Sequence, residues 1–197
     1  MTTDVLEQQQ TYSAEDYLAM EEAALEKHEY RNGKIITMPG GTATHNIIAV
    51  NITTALKIAL KETSCRVFNA DMRIWIADAN RFTYPDAMVV CGALEFGLGR
   101  QDLITNPTLI VEVLSESTKS DDRGEKFDDY RTLKSFQEYV LVHQKEKRVE
   151  KYHKLEAERW MLEIYTDPKR EIALRSLNAS LILNDCYDGV EFEEKAM

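Results

Sequence analysis

The sequence predicts a mixed α/β domain, and three observations lead there. Three strand-like apolar runs lie between two helical segments, a fourth (EYVLVH, 138–143) follows the second helix, and a helix with a hairpin precedes them all. A strand reached through a helical crossover is how parallel neighbours join one sheet. At 197 residues, 44% apolar and 29% charged, the chain suffices for a substantial core, with no internal repeat, low-complexity tract or linker. Residues 12–192 are therefore read as a single domain, preceded by a polar, disordered tail over 1–11.

Ser13 followed by Asp16 resembles a capping arrangement and opens a helix through about Ala24. EYRNGKIITM (29–38) then changes to strand chemistry, with Asn32-Gly33 supplying a tight hairpin turn. PGGTATHN (39–46) reads as a flexible link, and the dense apolar pattern from Ile47 to Leu60 as a long, largely buried helix. RVFNADMRIWIA (66–77) and TYPDAMVVC (83–91) read as two strands joined through DANR, and PTLIVEVL (107–114) as a central strand covered on both faces. A second helix is expected over 121–133, RVEKYHK and ERWMLEIY form a hairpin, and 171–192 is a weakly patterned tail.

Charge and cysteines bound the chemistry. A net charge of −10 opposes nonspecific attraction to polyanions, so a nucleic-acid role requires a local basic patch. Cys65, Cys91 and Cys186 are odd in number with no CxxC spacing, which suggests neither a disulfide framework nor a zinc knuckle and fits a reducing, intracellular setting. MTTDVLEQQQ lacks a basic-then-apolar leader, and no stretch approaches the ~20 apolar residues of a membrane span, so a cytoplasmic location is expected.

Glu112 stands inside the apolar run LIVEVL. An ionised carboxylate there is unfavourable by several kcal/mol, on the order of magnitude, unless paired or coordinated. Asp86, at the edge of the preceding strand, is its natural neighbour. Two poorly solvated carboxylates repel each other, and a hard divalent cation such as Mg²⁺, with Mn²⁺ as a substitute, relieves both problems and activates water for phosphodiester attack. The competing explanation is structural, with each acid paired to an arginine or capping a turn.

Glu-Tyr-x-x-Gly at 29–33, His45, Pro85-Asp86 and Glu-Val-Leu-Ser-x-Ser-Thr at 112–118 occur in this order, followed by Asp122, Lys126, Tyr130 and Glu138-Tyr139. This set resembles the Uma-type family of restriction endonucleases, a branch of the PD-(D/E)XK nuclease superfamily, over roughly residues 11–165. The resemblance implies a restriction-endonuclease-like fold, a central mixed sheet flanked by helices. It also implies Asp86 and Glu112 as metal ligands, Glu29 as a further acidic catalytic residue, and DNA as the partner. One departure is Leu114, which stands where the superfamily motif has its lysine; the family's replacement is Lys126, on one helix face with Asp122 and Tyr130. His45 is the candidate contact to phosphate or a bound water, and Arg123 belongs to a set of helix cations that could neutralise phosphates. A homodimer follows from fold analogy alone.

Two rival readings remain: a catalytically inactive nuclease-fold module that binds nucleic acid or protein, and an acid/base hydrolase using Asp86 and Glu112 without metal.

Overall fold

A computed structural model describes residues 11–116 and 118–192. The tail expected over 1–11 lies, apart from Thr11, outside the described residues. Helix α1 (Ala14–Ala23) opens on Ser13, whose side chain accepts from the Asp16 amide while Asp16 accepts from the Ser13 amide, a reciprocal cap. Strands β1 (His28–Arg31) and β2 (Lys34–Thr37) are joined by Asn32 at φ 46° and Gly33 at φ 87°, the left-handed pair that a two-residue hairpin turn demands.

Helix α2 (Ala43–Ala59) begins inside the segment expected to be a link, because Thr42 caps it by accepting from the His45 amide at 3.1 Å. His45 therefore occupies the helix's first turn. The helix is also less buried than its apolar content predicts. Ile48, Ile52 and Leu56 form the buried stripe, whereas Val50 and Ile58 are 55% and 71% exposed.

The two long strands expected over 66–77 and 83–91 are four: β3 (Cys65–Asn69), β4 (Arg73–Ile76), β5 (Arg81–Thr83) and β6 (Ala87–Cys91). Asn69 accepts from the Asp71 amide and turns the first run, and Pro85, lacking an N–H, cannot extend a ladder through the second. The chain thereby passes between two sheets, and with β7 (Leu103–Ile104) the first has the order β2-β1-β5-β4-β7.

Strand β8 (Leu109–Leu114) is central and fully buried, as expected. Its five buried apolar side chains, at ~1.5–3 kcal/mol each, outweigh the several kcal/mol of one buried carboxylate. The second helix is broken into α3 (Lys119–Arg123) and α4 (Glu125–Tyr130) at Gly124, where a Cβ would meet the Ser120 carbonyl at 3.1 Å. Strand β9 (Glu138–His143) then lies parallel to β8, Leu109 opposite Glu138, as the helical crossover predicts. With β10 (Val149–Glu156) and β11 (Arg159–Tyr165), the second sheet has the order β11-β10-β9-β8-β6-β3.

This six-stranded sheet has two covered faces. Leu109, Val111 and Val113 meet the buried stripe of α2, while Ile110 and Leu114 meet Phe127, Tyr130 and Phe136 on and after α4. The C-terminal segment is no loose tail: β12 (Glu171–Leu174) and β13 (Ala179–Ile182) pair, and α5 (Leu183–Cys186) follows. Ile172, Leu174 and Leu181 are buried in the α2 layer, but four-residue strands are too short to declare themselves by alternation. Glu138, fully buried, accepts from the Arg175 and Ser176 amides at 2.9 and 3.0 Å and from the Ser176 hydroxyl at 2.6 Å.

Cys65 and Cys91 face each other in the β3–β6 register and form a disulfide, which corrects the expectation of unpaired thiols. Spacing could not reveal the pair, since the register that opposes them depends on where the two strands begin. Cys186 is free and buried. Among the described residues, no helix is long and apolar enough to cross a membrane.

Candidate active site

The β6–β8 ladder is antiparallel, with Ala87 opposite Val111 and Met88 opposite Ile110. Continuing that register by one residue places Asp86 opposite Glu112, on the sheet face covered by α4. Asp86 Oδ2 accepts from the Val113 amide at 2.7 Å and lies 3.3 Å from His45 Nε2. His45 thus reaches the carboxylate from the first turn of α2, and the hydrogen bond to Asp86 raises its pKa against the opposing effect of burial.

Lys126 enters from α4. Its Nζ lies 2.9 Å from Glu112 Oε1 and 3.4 Å from both Glu29 Oε1 and Asp122 Oδ1. Burial alone would lower the ammonium's pKa, but Glu112 and Glu29 beside it hold it well above the usual lysine range. Asp122 stays within reach although the helix breaks between the two residues. Leu114 points to the same sheet face and fills the core against the α4 layer, so the cation comes from the covering helix in place of the strand.

Glu112 is 4% exposed, and Tyr130 donates a hydrogen bond to its Oε1 at 2.8 Å. Burial, reinforced by the nearby Asp122 and Asp86 charges, pushes its carboxyl up to about 8 even with Lys126 opposing the shift. Glu29 behaves oppositely. Its burial is outweighed by Lys126, Arg81 and the Thr83 hydroxyl, and its pKa is lowered.

Arg81 is the site residue that sequence reasoning missed. It is 1% exposed and contacts Glu29 at 3.4 Å, Asp121 of α3 at 2.6 Å and Asp129 of α4 at 3.0 Å. One guanidinium therefore links the first sheet to both halves of the broken helix. An arginine within the turn-like DANR carried no signal, because its partners lie 40 to 52 residues away. Arg123, by contrast, points away from this cluster. It forms a two-point pair with Glu150, with contacts of 3.1 Å, and lies 3.0 Å from His143 Nε2.

The cluster forms the floor of a pocket of about 900 Å³, whose walls include Glu29, His45, Asp86, Glu112, Asp122 and Lys126. Among the described residues, no three His, Cys, Asp or Glu side chains are grouped as a ready-made metal cage. The donors nevertheless suit Mg²⁺, which commonly binds one or two carboxylates and keeps waters for the rest. Both contacts to Glu112 fall on Oε1 and both to Asp86 on Oδ2, leaving the second oxygen of each without a hydrogen bond among the described residues.

Residues 14–184 match the Uma2 family, described as "Putative restriction endonuclease". Two uncharacterized proteins of Synechocystis sp. are similar: one is 40% identical over 150 residues, covering 76% of this chain and 85% of its own length. The other is 36% identical over 180 residues, covering 91% and 93%. The crystal structure of a "putative nuclease" from Anabaena variabilis superposes with a TM-score of 0.71 at 18% identity, covering 90% of this chain and 98% of that one. That likeness speaks for the shared mixed α/β architecture, and the extent of the family match decides membership: the chain belongs to the Uma2 family.

Proposed function

We propose that the protein is a Mg²⁺-dependent endonuclease that hydrolyses phosphodiester bonds of DNA. The observation that carries this reading is Lys126, delivered by α4 to within 2.9 Å of Glu112 on the sheet face that Asp86 shares. Two acids and a lysine converge there as phosphoryl chemistry requires, although the lysine is absent from its usual place in the strand. The family's description, "Putative restriction endonuclease", agrees with it.

Asp86 and Glu112 hold the cation. When bound, Mg²⁺ supplies charge neutralisation at the scissile phosphate and lowers the pKa of water. Lys126, kept protonated by its carboxylate neighbours, donates to the attacking water and to the phosphate oxygen on which charge develops. Glu29, held ionised by Lys126 and Arg81, orients Lys126. His45 steadies Asp86 and stands ready to contact phosphate.

Calorimetry with Mg²⁺ and Mn²⁺, paired with cleavage of labelled DNA, tests the proposal. Asp86→Ala and Glu112→Ala are expected to lose both the binding heat and cleavage. Lys126→Ala is expected to lose cleavage by ~100-fold or more while metal uptake survives. A wild-type protein that takes up neither cation sinks the proposal and leaves the interaction-module reading. Activity that persists in a chelator favours the acid/base hydrolase instead.

A further inference from the structure

We infer that the DNA bound at this site is a strand outside a duplex, a single strand or an overhang, whose unstacked base packs against the pocket's apolar wall. This inference rests on the nuclease reading and specifies its substrate.

The first ground is depth. Glu112, Asp122 and Lys126 are 4%, 2% and 5% exposed, so a scissile phosphate must descend to reach them. The rim above is tied together. Thr42 Oγ1 donates to Gln144 Oε1 at 3.0 Å, joining the start of α2 to the end of β9. Lys145 Nζ lies 2.9 Å from Glu116 Oε1, joining the segment after β9 to the loop after β8.

Size is the second ground. A pocket of about 900 Å³ lies within the ~300–1,000 Å³ range of sites that take a small ligand, room for a nucleotide and not for the body of a duplex. A duplex is stiff over ~50 nm and cannot bend one phosphate into such a recess, whereas a single strand can thread it.

Wall chemistry is the third. The two lysines that line the pocket, Lys126 and Lys145, are both already paired with carboxylates, which leaves the walls little positive charge for the dense phosphates of a duplex, at one negative charge per ~1.7 Å of axis. Ile36, 45% exposed, Met38 and the half-buried Phe192 also line the pocket and give its wall apolar surface. A stacked duplex keeps its base faces hidden, while an unstacked base presents a π-face that such apolar surface takes without sequence preference.

The test uses the full chain with Mg²⁺ and three labelled substrates of one sequence: a single strand, a blunt duplex, and a duplex with a single-stranded overhang. Binding is followed by anisotropy and cleavage on gels. The expected result is that the single strand and the overhang are bound and cut at least tenfold better than the blunt duplex, and that Phe192→Ala raises KM for the single strand more than it lowers kcat. Equal or better binding and cutting of the blunt duplex overturns the inference while leaving the nuclease reading in place. Preferential binding of the single strand without cleavage supports the inference and overturns the nuclease reading. Failure to bind or cut any of the three overturns both.

Discussion

Lys126 and Glu112 are 14 positions apart in sequence, on a helix and on the strand it covers, and their charged atoms lie 2.9 Å apart with both side chains buried. Removing the cation strands three carboxylates around one point. Lys126→Met is therefore expected to lower unfolding free energy by ~3–5 kcal/mol, read from urea transitions at neutral pH. A loss under 1 kcal/mol would show that the pair is only a surface-grade contact.

Arg81 is expected to behave as a structural clasp whose loss reaches the site. Arg81→Met takes from Asp129 its buried partner and from Glu29 one of its two buried cations, and should destabilise by ~3 kcal/mol or more. Hydrogen exchange should quicken in both α3 and α4. Exchange that quickens in only one helix would show that the bridge is not shared.

Glu150 should set part of the acid stability. Burial would raise its pKa, but Arg123, His143 and Arg148 outweigh burial and hold it at about 2, below the ordinary 4.5. A depressed carboxylate stabilises the fold above the unfolded value of 4.5, and that contribution fades as pH falls toward 2. Urea midpoints between pH 6 and pH 2.5 should therefore fall less steeply for Glu150→Gln than for wild type. Parallel slopes would rule this out.

The C-terminal strands should depend on Glu138. Glu138→Ala leaves the Arg175 and Ser176 amides and the Ser176 hydroxyl without their acceptor, and Lys151 without one of its carboxylates. A loss of ~3 kcal/mol is expected, with amide exchange rising first over 171–186. Uniform exchange across the chain would argue against local anchoring.

Thiol counting tests the cystine. Native protein kept free of reductant should titrate no thiol, and denatured protein one, Cys186; three thiols in denaturant would remove the Cys65–Cys91 bond.

Where one local signal decided an element, the sequence was readable. Asn32-Gly33 specified its hairpin, Ser13 and Asp16 their helix start, and the apolar runs around Glu112 and Tyr139 two parallel strands. Asp86 opposite Glu112 was visible as one acid at a strand edge and another inside the neighbouring apolar run. What stayed hidden depended on distant partners. Arg81 meets acids from three separate elements, the cystine needs an exact register, and the split of 66–91 between two sheets turns on one Asn side chain and one missing N–H. Apolar periodicity also overstated the burial of α2, because it reports which side chains avoid water and not whether a neighbour is there to cover them.

Glu29 belongs to the first sheet, Glu112 to the second, and Lys126 to the helix above, so one ammonium fastens three layers. Mutational drift therefore has no cheap route to an inactive relative that keeps this architecture. Losing the lysine alone leaves its buried carboxylates unpaired at a cost of ~3–5 kcal/mol, whereas concerted replacement of the lysine with its acids by apolar residues avoids that loss. Intact charge at these positions in a descendant would thus record continuity of the core as much as continuity of use.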